Sequence, residues 1–306
     1  MPRIPRLIVR GEEAVYHVIS RTALDGFVIE DEDKEYLLGL IKWLSSVFFV
    51  EILGFCVMGN HFHLLVKVFP GERFSDEDVM NRAKKYYGKL DKKVDVERFR
   101  QKCEMLSEFI KEIKQRFARY YNKKHDRRGY FWGERFKSVL LEDGPAVLNC
   151  LAYIDLNPVR AGLVKRPEEY RWCSISYHMA MGESGGFLSK DLGLTGTTKG
   201  SFRERLRAYR EYLYEKGGLV VDGKGAIDGD ILCDERQQEF TPSTKFIFKH
   251  RVRYFSDGAI LGSKLFVKRW YSEFKDYFKS KEKLPRKIPG VEDVYSLKRL
   301  SRAGIG

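Results

Sequence analysis

The sequence predicts an α+β sandwich built on an antiparallel sheet, and three observations carry that expectation. Val15 to Ser20 alternates apolar and polar residues in the manner of a strand. Leu37, Leu38, Leu40, Ile41, Trp43, Leu44 and Phe48 then recur at helical spacing. Two apolar, strand-like runs follow, Val50 to Met58 and His61 to Phe69, joined at Gly59-Asn60, a two-residue hairpin signal. A strand, a helix and a hairpin in that order pack most simply as a sheet with helices laid against it.

The first strand is flanked by Arg10 and Arg21 and contains His17. The helix after it opens on the acidic run Glu30-Asp31-Glu32-Asp33, a favourable arrangement at a helix N-terminus. The returning strand of the hairpin begins His61-Phe62-His63. Side chains alternate across a strand, so His61, His63 and Leu65 share one face while Phe62, Leu64, Val66 and Val68 take the other. Two imidazoles on one face are half of a metal site; the same pattern also fits core histidines satisfied by backbone carbonyls.

Pro70 to Val96 is charged and poorly periodic, reading as an insertion or helical excursion. From Met105 a stripe of Leu106, Phe109, Ile110, Ile113, Phe117 and Tyr120 marks an amphipathic helix whose other side carries lysines and arginines. A turn at Arg127-Arg128-Gly129 leads into Tyr130-Phe131-Trp132-Gly133-Glu134-Arg135-Phe136-Lys137. Interleaved aromatic and cationic side chains suit unpaired bases and phosphates, or a turn anchored to the core by its rings. Ser138 to Glu142 reads as a short strand. Asp143-Gly144-Pro145 then starts a helix over Ala146 to Leu156, stopped by Pro158. Asn149, Tyr153 and Asn157 stack on one side of that helix at four-residue steps.

Glycine is frequent from Gly182 to Gly200, which predicts a linker. Beyond it lie a helix over Ser201 to Tyr214, a glycine-rich loop from Gly217 to Asp230, and a basic, aromatic segment from Lys249 to Lys279. The organisation expected is therefore a catalytic domain over residues 1–181, with an insertion near 70–104, and a mostly helical, basic C-terminal extension over 182–306 that serves as an accessory DNA-binding region.

The charge is uneven. The chain of 306 residues has a formal net charge of +13. Arg100 to Lys137 holds twelve Lys/Arg against five Asp/Glu, and Lys249 to Lys287 twelve against four, so the rest is close to neutral. A localised basic excess favours a polyanion, since each phosphate neutralised releases condensed counterions. The five cysteines are widely spaced with no C-x-x-C, which argues against a disulfide framework and a structural zinc site. With neither an apolar leader core nor a run of membrane-spanning length, a cytoplasmic, nucleoid-associated location is expected, with no membrane partner.

Two imidazoles and one amide oxygen would hold a divalent ion while leaving positions open for water and a phosphate oxygen. Mg²⁺ or Mn²⁺ suits such a set, Mn²⁺ accepting nitrogen and oxygen alike. Tyr153, one turn before Asn157, is then placed to attack a polarised phosphorus. Tyr86, Tyr87, Tyr120 and Tyr121 are competing nucleophiles in sequence terms, but only Tyr153 has an amide at helical spacing within a motif.

Three motifs together resemble the single-tyrosine HUH transposases (IS200-like), and among these the REP-associated tyrosine transposases. They are Met58-Gly59-Asn60-His61-Phe62-His63-Leu64-Leu65-Val66, Gly133-Glu134-Arg135-Phe136-Lys137, and Tyr153-Ile154-Asp155-Leu156-Asn157-Pro158-Val159-Arg160-Ala161-Gly162-Leu163-Val164. The likeness in element order runs from about Arg10 to Tyr177. The resemblance implies a ferredoxin-like fold with the histidines on a central strand, His61, His63 and Asn157 as metal ligands, and Tyr153 as nucleophile. It also implies cleavage and rejoining of single-stranded DNA beside a hairpin through a 5′-phosphotyrosine, without a nucleotide cofactor. The residues expected to meet DNA are Arg119, Lys123, Lys124, Arg127, Arg128, Trp132, Arg135, Lys137 and Arg160. Two alternatives accompany this reading: a domesticated hairpin-binding protein that no longer cuts, and an HUH nickase of the replication-initiator type. Either a monomer or a homodimer is compatible, with a tyrosine acting in its own subunit favoured. Tyr254-Phe255-Ser256-Asp257-Gly258 resembles a segment of longer relatives and has no derived role.

Overall fold

The structure is a computed structural model that describes residues 7–88, 94–181, 186–194, 200–219, 223–237, 259–278, 284–287 and 294–297. Tyr254 to Gly258 lies outside the described residues. The elements are β1 (Ala14–Arg21), α1 (Asp31–Ser45), β2 (Val50–Val57), β3 (His61–Val68), α2 (Asp76–Tyr87), α3 (Val96–Cys103), α4 (Leu106–Lys124), β4 (Lys137–Leu141), α5 (Pro145–Asp155), α6 (Asn157–Arg160) and α7 (Ser174–Met181). The C-terminal part adds α8 (Phe202–Gly217), α9 (Gly229–Gln237), β5 (Ile260–Gly262), α10 (Lys264–Glu273), β6 (Arg286–Lys287) and β7 (Tyr295–Ser296).

The sheet runs β2-β3-β1-β4-β5-β7-β6. Its first four strands are antiparallel neighbours, β1 lying between β3 and β4. With α1 between β1 and β2 and α4 before β4, this is the ferredoxin-like α+β sandwich that the element order predicts. The expected helical extension is present as α8, α9 and α10, and it also contributes the far strands of the sheet, β5 pairing parallel to β4.

Period-two alternation sorts the two faces. Tyr16, Val18, Phe62, Leu64 and Val66 point into a core shared with Leu37, Ile41 and Leu44 of α1 and Phe109, Ile113 and Phe117 of α4. Val15, Leu65, Cys56, Val139 and Leu141 point the opposite way, into a second core closed by Val147, Cys150, Leu151 and Ile154 of α5 and by Leu206, Tyr209 and Leu213 of α8. His17, His61 and His63 have the parity of this second face. The charged run after Pro70 forms α2 and α3, which join the first core through Val79, Ala83, Phe99 and Cys103.

The β2–β3 turn closes with the Met58 N–H donating to the His61 carbonyl at 2.8 Å. Positive φ occurs at neither Gly59 nor Asn60, so this is not the mirror-image turn that a Gly-Asn pair most often makes. Docking decides the geometry: the Gly59 carbonyl accepts from Ile29 N–H and the Asn60 carbonyl from Thr22 N–H. Gly59 is required for a second reason, since a Cβ there would meet Phe27 Cβ at 2.8 Å.

Candidate active site

Tyr153 reaches the histidines. Its ring centroid lies 5.6 Å from that of His63 and 5.8 Å from that of His17, edge-on to both. The His17 and His63 rings lie nearly coplanar, 15° between planes with centroids 5.2 Å apart, while His61 stands edge-on to His63 at 5.0 Å. Four side chains from β1, β3 and α5, spread over 137 positions of sequence from His17 to Tyr153, thus meet in one ring cluster.

The backbone explains the meeting. Ile19 of β1 lies opposite His63, which puts His17 one side-chain step along on the same face. Helix α5 enters after Gly144, whose φ of 85° suits glycine, with Pro145 in its first turn. It lies close on the sheet because Gly54 has no side chain: a Cβ there would stand 2.2 Å from Leu151 Cδ1. Leu151 is two residues before Tyr153, so this approach sets how deep the tyrosine end of the helix sits. The helix breaks at Leu156, and Asn157 opens α6 with its Nδ2 donating to the Tyr153 carbonyl at 2.9 Å. The amide oxygen of Asn157 is therefore the atom of that side chain left to act as a ligand. Asn149, expected on the same side, is buried and accepts from the Tyr212 hydroxyl of α8 at 2.7 Å.

Burial dominates the electrostatics. It lowers the basicity of His61 to about 4, with the nearby Arg21 charge pushing the same way. It lowers that of His63 well below the ordinary range, helped by the two neighbouring imidazoles. Neutral imidazoles are the form that ligates metal. The Asn60 Oδ1 accepts from His61 Nδ1–H at 2.7 Å, which leaves the lone pair on His61 Nε2. His63 Nε2 is buried and without a hydrogen-bond partner. A buried polar atom of this kind calls for an occupant such as an ion or a water, and the open nitrogens of His61 and His63 have the chemistry a divalent cation accepts. Among the described residues no group of three or more His, Cys, Asp or Glu is arranged to hold a metal; a His-His-amide set lies outside that class of site.

The competing tyrosines are elsewhere. Tyr121 donates to the Val28 carbonyl, Tyr86 to Glu112, and Tyr120 stacks on Tyr36 at 3.7 Å, all against the opposite face of the sheet.

Of the residues expected to meet DNA, Arg119, Lys123, Arg128, Arg135 and Lys137 are exposed. Arg127 is half-buried. Lys124 is tied to Glu32 at 2.8 Å and to the buried Asp33 at 2.9 Å. Trp132 and Arg160 are placed differently from the expectation. Trp132 is 8% exposed, packs edge-on to Phe62 and donates its indole N–H to the Lys114 carbonyl, so its faces belong to the core. Arg160 donates to the carbonyls of Lys216, Leu219 and Gly225 at 2.8–3.0 Å, capping the end of α8.

The rings that are presented to solvent are others. Tyr130 is 90% exposed and Phe27 75%. Phe27 lies against Gly59, and the residue after Tyr130 accepts from the Ala23 N–H, so both belong to the loops docked beside the histidine hairpin. Phe27 carries no signal in the sequence, and Tyr130 stands out there only as part of the aromatic run.

With the geometry in hand, residues 12–105 match the family described as Transposase IS200 like. The matched span contains His17, His61 and His63 and ends before Tyr153. A solved structure titled as the REP-associated tyrosine transposase bound to a REP hairpin aligns with a TM-score of 0.43 at 16% identity, over 66% of this chain and 96% of that one. No curated protein matches the chain. Among the described residues no helix is long and apolar enough to cross a membrane.

Proposed function

We propose that this IS200-like protein is a single-stranded DNA transposase that cleaves and rejoins DNA beside a hairpin through a 5′-phosphotyrosine on Tyr153. The observation that carries the proposal is the contact of the Tyr153 ring with His63, made by a helix that begins 77 residues after β3 ends.

His61, His63 and the Asn157 amide oxygen would hold Mg²⁺ or Mn²⁺, which when bound supplies positive charge against the scissile phosphate. Tyr153 Oη attacks the phosphorus: an O–P bond forms to the phenol, the bond to the 3′-oxygen breaks, and the phenolic proton is balanced by the 3′-hydroxyl released. Energy of the phosphodiester stays in the phosphotyrosine, so a 3′-hydroxyl reverses the step without a nucleotide cofactor. The half-buried phenol, edge-on to His17 and His63, is held in place for this attack by α5 packing through Leu151 and Gly54.

Exposed Arg119, Lys123, Arg128, Arg135 and Lys137 form the basic surface for the phosphates. Phe27 and Tyr130 offer faces on which unpaired bases can stack beside the hairpin turn. In this reading residues 1–181 form the catalytic unit, residues 182–306 are an accessory DNA-binding region, and the protein works in the cytoplasm with its tyrosine acting in cis.

A 5′-labelled hairpin oligonucleotide with single-stranded flanks, incubated with the full chain and Mn²⁺, tests the proposal. A labelled, denaturation-resistant adduct whose site maps to Tyr153 is the expected result. Binding with no adduct in any divalent metal would leave a hairpin-binding protein in its place.

A further inference from the structure

The paired His17 and His63 rings raise a question of proton direction that ligand identity alone does not answer. His17 Nε2 and His63 Nδ1 lie 3.0 Å apart in a fully buried contact, so one of them carries the hydrogen. The choice is constrained by the far side of the His63 ring, where Nε2 is buried with no partner.

Consider each tautomer. If His17 Nε2–H donates to His63 Nδ1, a neutral His63 must place its own hydrogen on Nε2, as a buried donor with nothing to receive it. That costs about 1–3 kcal/mol and leaves no lone pair facing outward. If His63 Nδ1–H donates to His17 Nε2, the His63 Nε2 lone pair is free to take a cation, and the orphaned atom is explained. His61 is already fixed in this sense, because Asn60 Oδ1 can only accept from its Nδ1–H.

We propose that His17 is a positioning residue: it accepts the His63 Nδ1–H, locks that imidazole in the Nδ1-protonated tautomer, and aims its Nε2 lone pair at the metal position. The inference rests on the reading of His61 and His63 as ligands. The two rings lie 15° from coplanar with centroids 5.2 Å apart, side by side as an in-line ring-to-ring hydrogen bond requires, and the Tyr153 ring packs edge-on against both. His17 sits between the ligand and the rest of β1, on the strand paired with both β3 and β4, so it has little freedom to turn away. Partners that orient a ligating histidine typically matter by about 10–100-fold in metal affinity.

The experiment uses the full chain, free of metal, with ¹⁵N-labelled histidine. Long-range ¹H–¹⁵N spectra read the tautomer of each ring, and Mn²⁺ titration calorimetry reads affinity. Wild type is expected to show His63 protonated at Nδ1. His17→Gln, which keeps an acceptor near the position of Nε2, is expected to bind Mn²⁺ within a few-fold of wild type. His17→Phe, which keeps a ring and loses the acceptor, is expected to bind about 10–100-fold more weakly. A wild-type His63 protonated at Nε2 would overturn the proposal, as would His17→Phe binding Mn²⁺ with wild-type affinity. If His17→Phe does not fold, the wild-type spectrum still decides. The two readings fail separately: Mn²⁺ binding unaffected by His61→Ala and His63→Ala sinks the ligand assignment, while the direction of the His17–His63 bond is read without metal.

Discussion

The Tyr209 hydroxyl of α8 donates to the Asp155 carboxylate of α5 at 2.6 Å. Asp155 is fully buried and also accepts from the Ser174 hydroxyl at 2.6 Å and the Ile175 N–H at 3.1 Å. Three donors would hold it charged, but burial outweighs them and raises its pKa to about 6. This carboxylate, two residues after Tyr153, thus joins the tyrosine helix to both α7 and α8.

A pH dependence follows from that shift. Between the unfolded value of about 4 and the folded value of about 6, the folded chain keeps a proton that the unfolded chain has lost. Stability from Asp155 therefore falls as pH rises through this window and is level above it. Asp155→Asn removes the titration. The difference in melting temperature between wild type and this variant should change steadily from pH 4 to 6 and stay constant from pH 6.5 to 8; a difference independent of pH would refute the raised value.

His61 works in the opposite sense. Its folded value near 4 lies below the unfolded 6.5, so the unfolded chain takes up a proton first as pH falls. The stability tied to neutral His61 is complete above about 6.5 and is lost as pH drops toward 4. His61→Gln should reduce the acid sensitivity of the melting temperature across that range, and it should also weaken Mn²⁺ binding measured at pH 7.5.

Tyr153→Phe removes one hydroxyl from a half-buried ring, a change worth about 1 kcal/mol in stability. Folding and hairpin binding should survive with small changes, and the covalent DNA adduct should vanish. Adduct formation by this variant would move the nucleophile elsewhere, although Tyr86, Tyr120 and Tyr121 face the opposite core.

Gly54→Ala tests whether close approach of α5 matters. A methyl 2.2 Å from Leu151 Cδ1 in a fully buried setting forces a shift costing about 1–3 kcal/mol. Adduct yield should fall with stability because Tyr153 is displaced along with Leu151. In a Leu151→Ala background the same change should cost less, and a coupling energy of zero in that cycle would show that the contact is not the cause.

The sequence was legible where a short-range period carries the information. Alternation along β3 separates His61 and His63 from Phe62 and Leu64, and the structure puts those two sets against different cores. His17 gave no such signal, because a single histidine on a strand looks like any core residue until its neighbour across the sheet is known. The inward packing of Trp132 and the carbonyl contacts of Arg160 are not legible for a related reason: an alternation of aromatic and cationic residues does not say which ring turns inward, and an arginine after a helix is silent about the carbonyls of another helix 56 residues on. Strands β5, β6 and β7 have three, two and two residues, too few for any period to show.

Arg160 and Arg135 should therefore respond in different assays. Arg160 is half-buried and spends its guanidinium on three carbonyls, of Lys216 in the last turn of α8 and of Leu219 and Gly225 beyond it, so Arg160→Ala leaves those acceptors unpaired and should cost about 3 kcal/mol of stability. Its effect on DNA affinity, measured well below the melting temperature, should carry no change in salt dependence. Arg135 is exposed, and a phosphate contact there would release about one counterion. Arg135→Ala should leave the melting temperature nearly unchanged and reduce the slope of log affinity against log salt by about one. Fluorescence anisotropy of a labelled hairpin at several salt concentrations, paired with thermal melts, separates the two roles. A changed salt slope for Arg160→Ala, with stability intact, would return that arginine to the DNA surface.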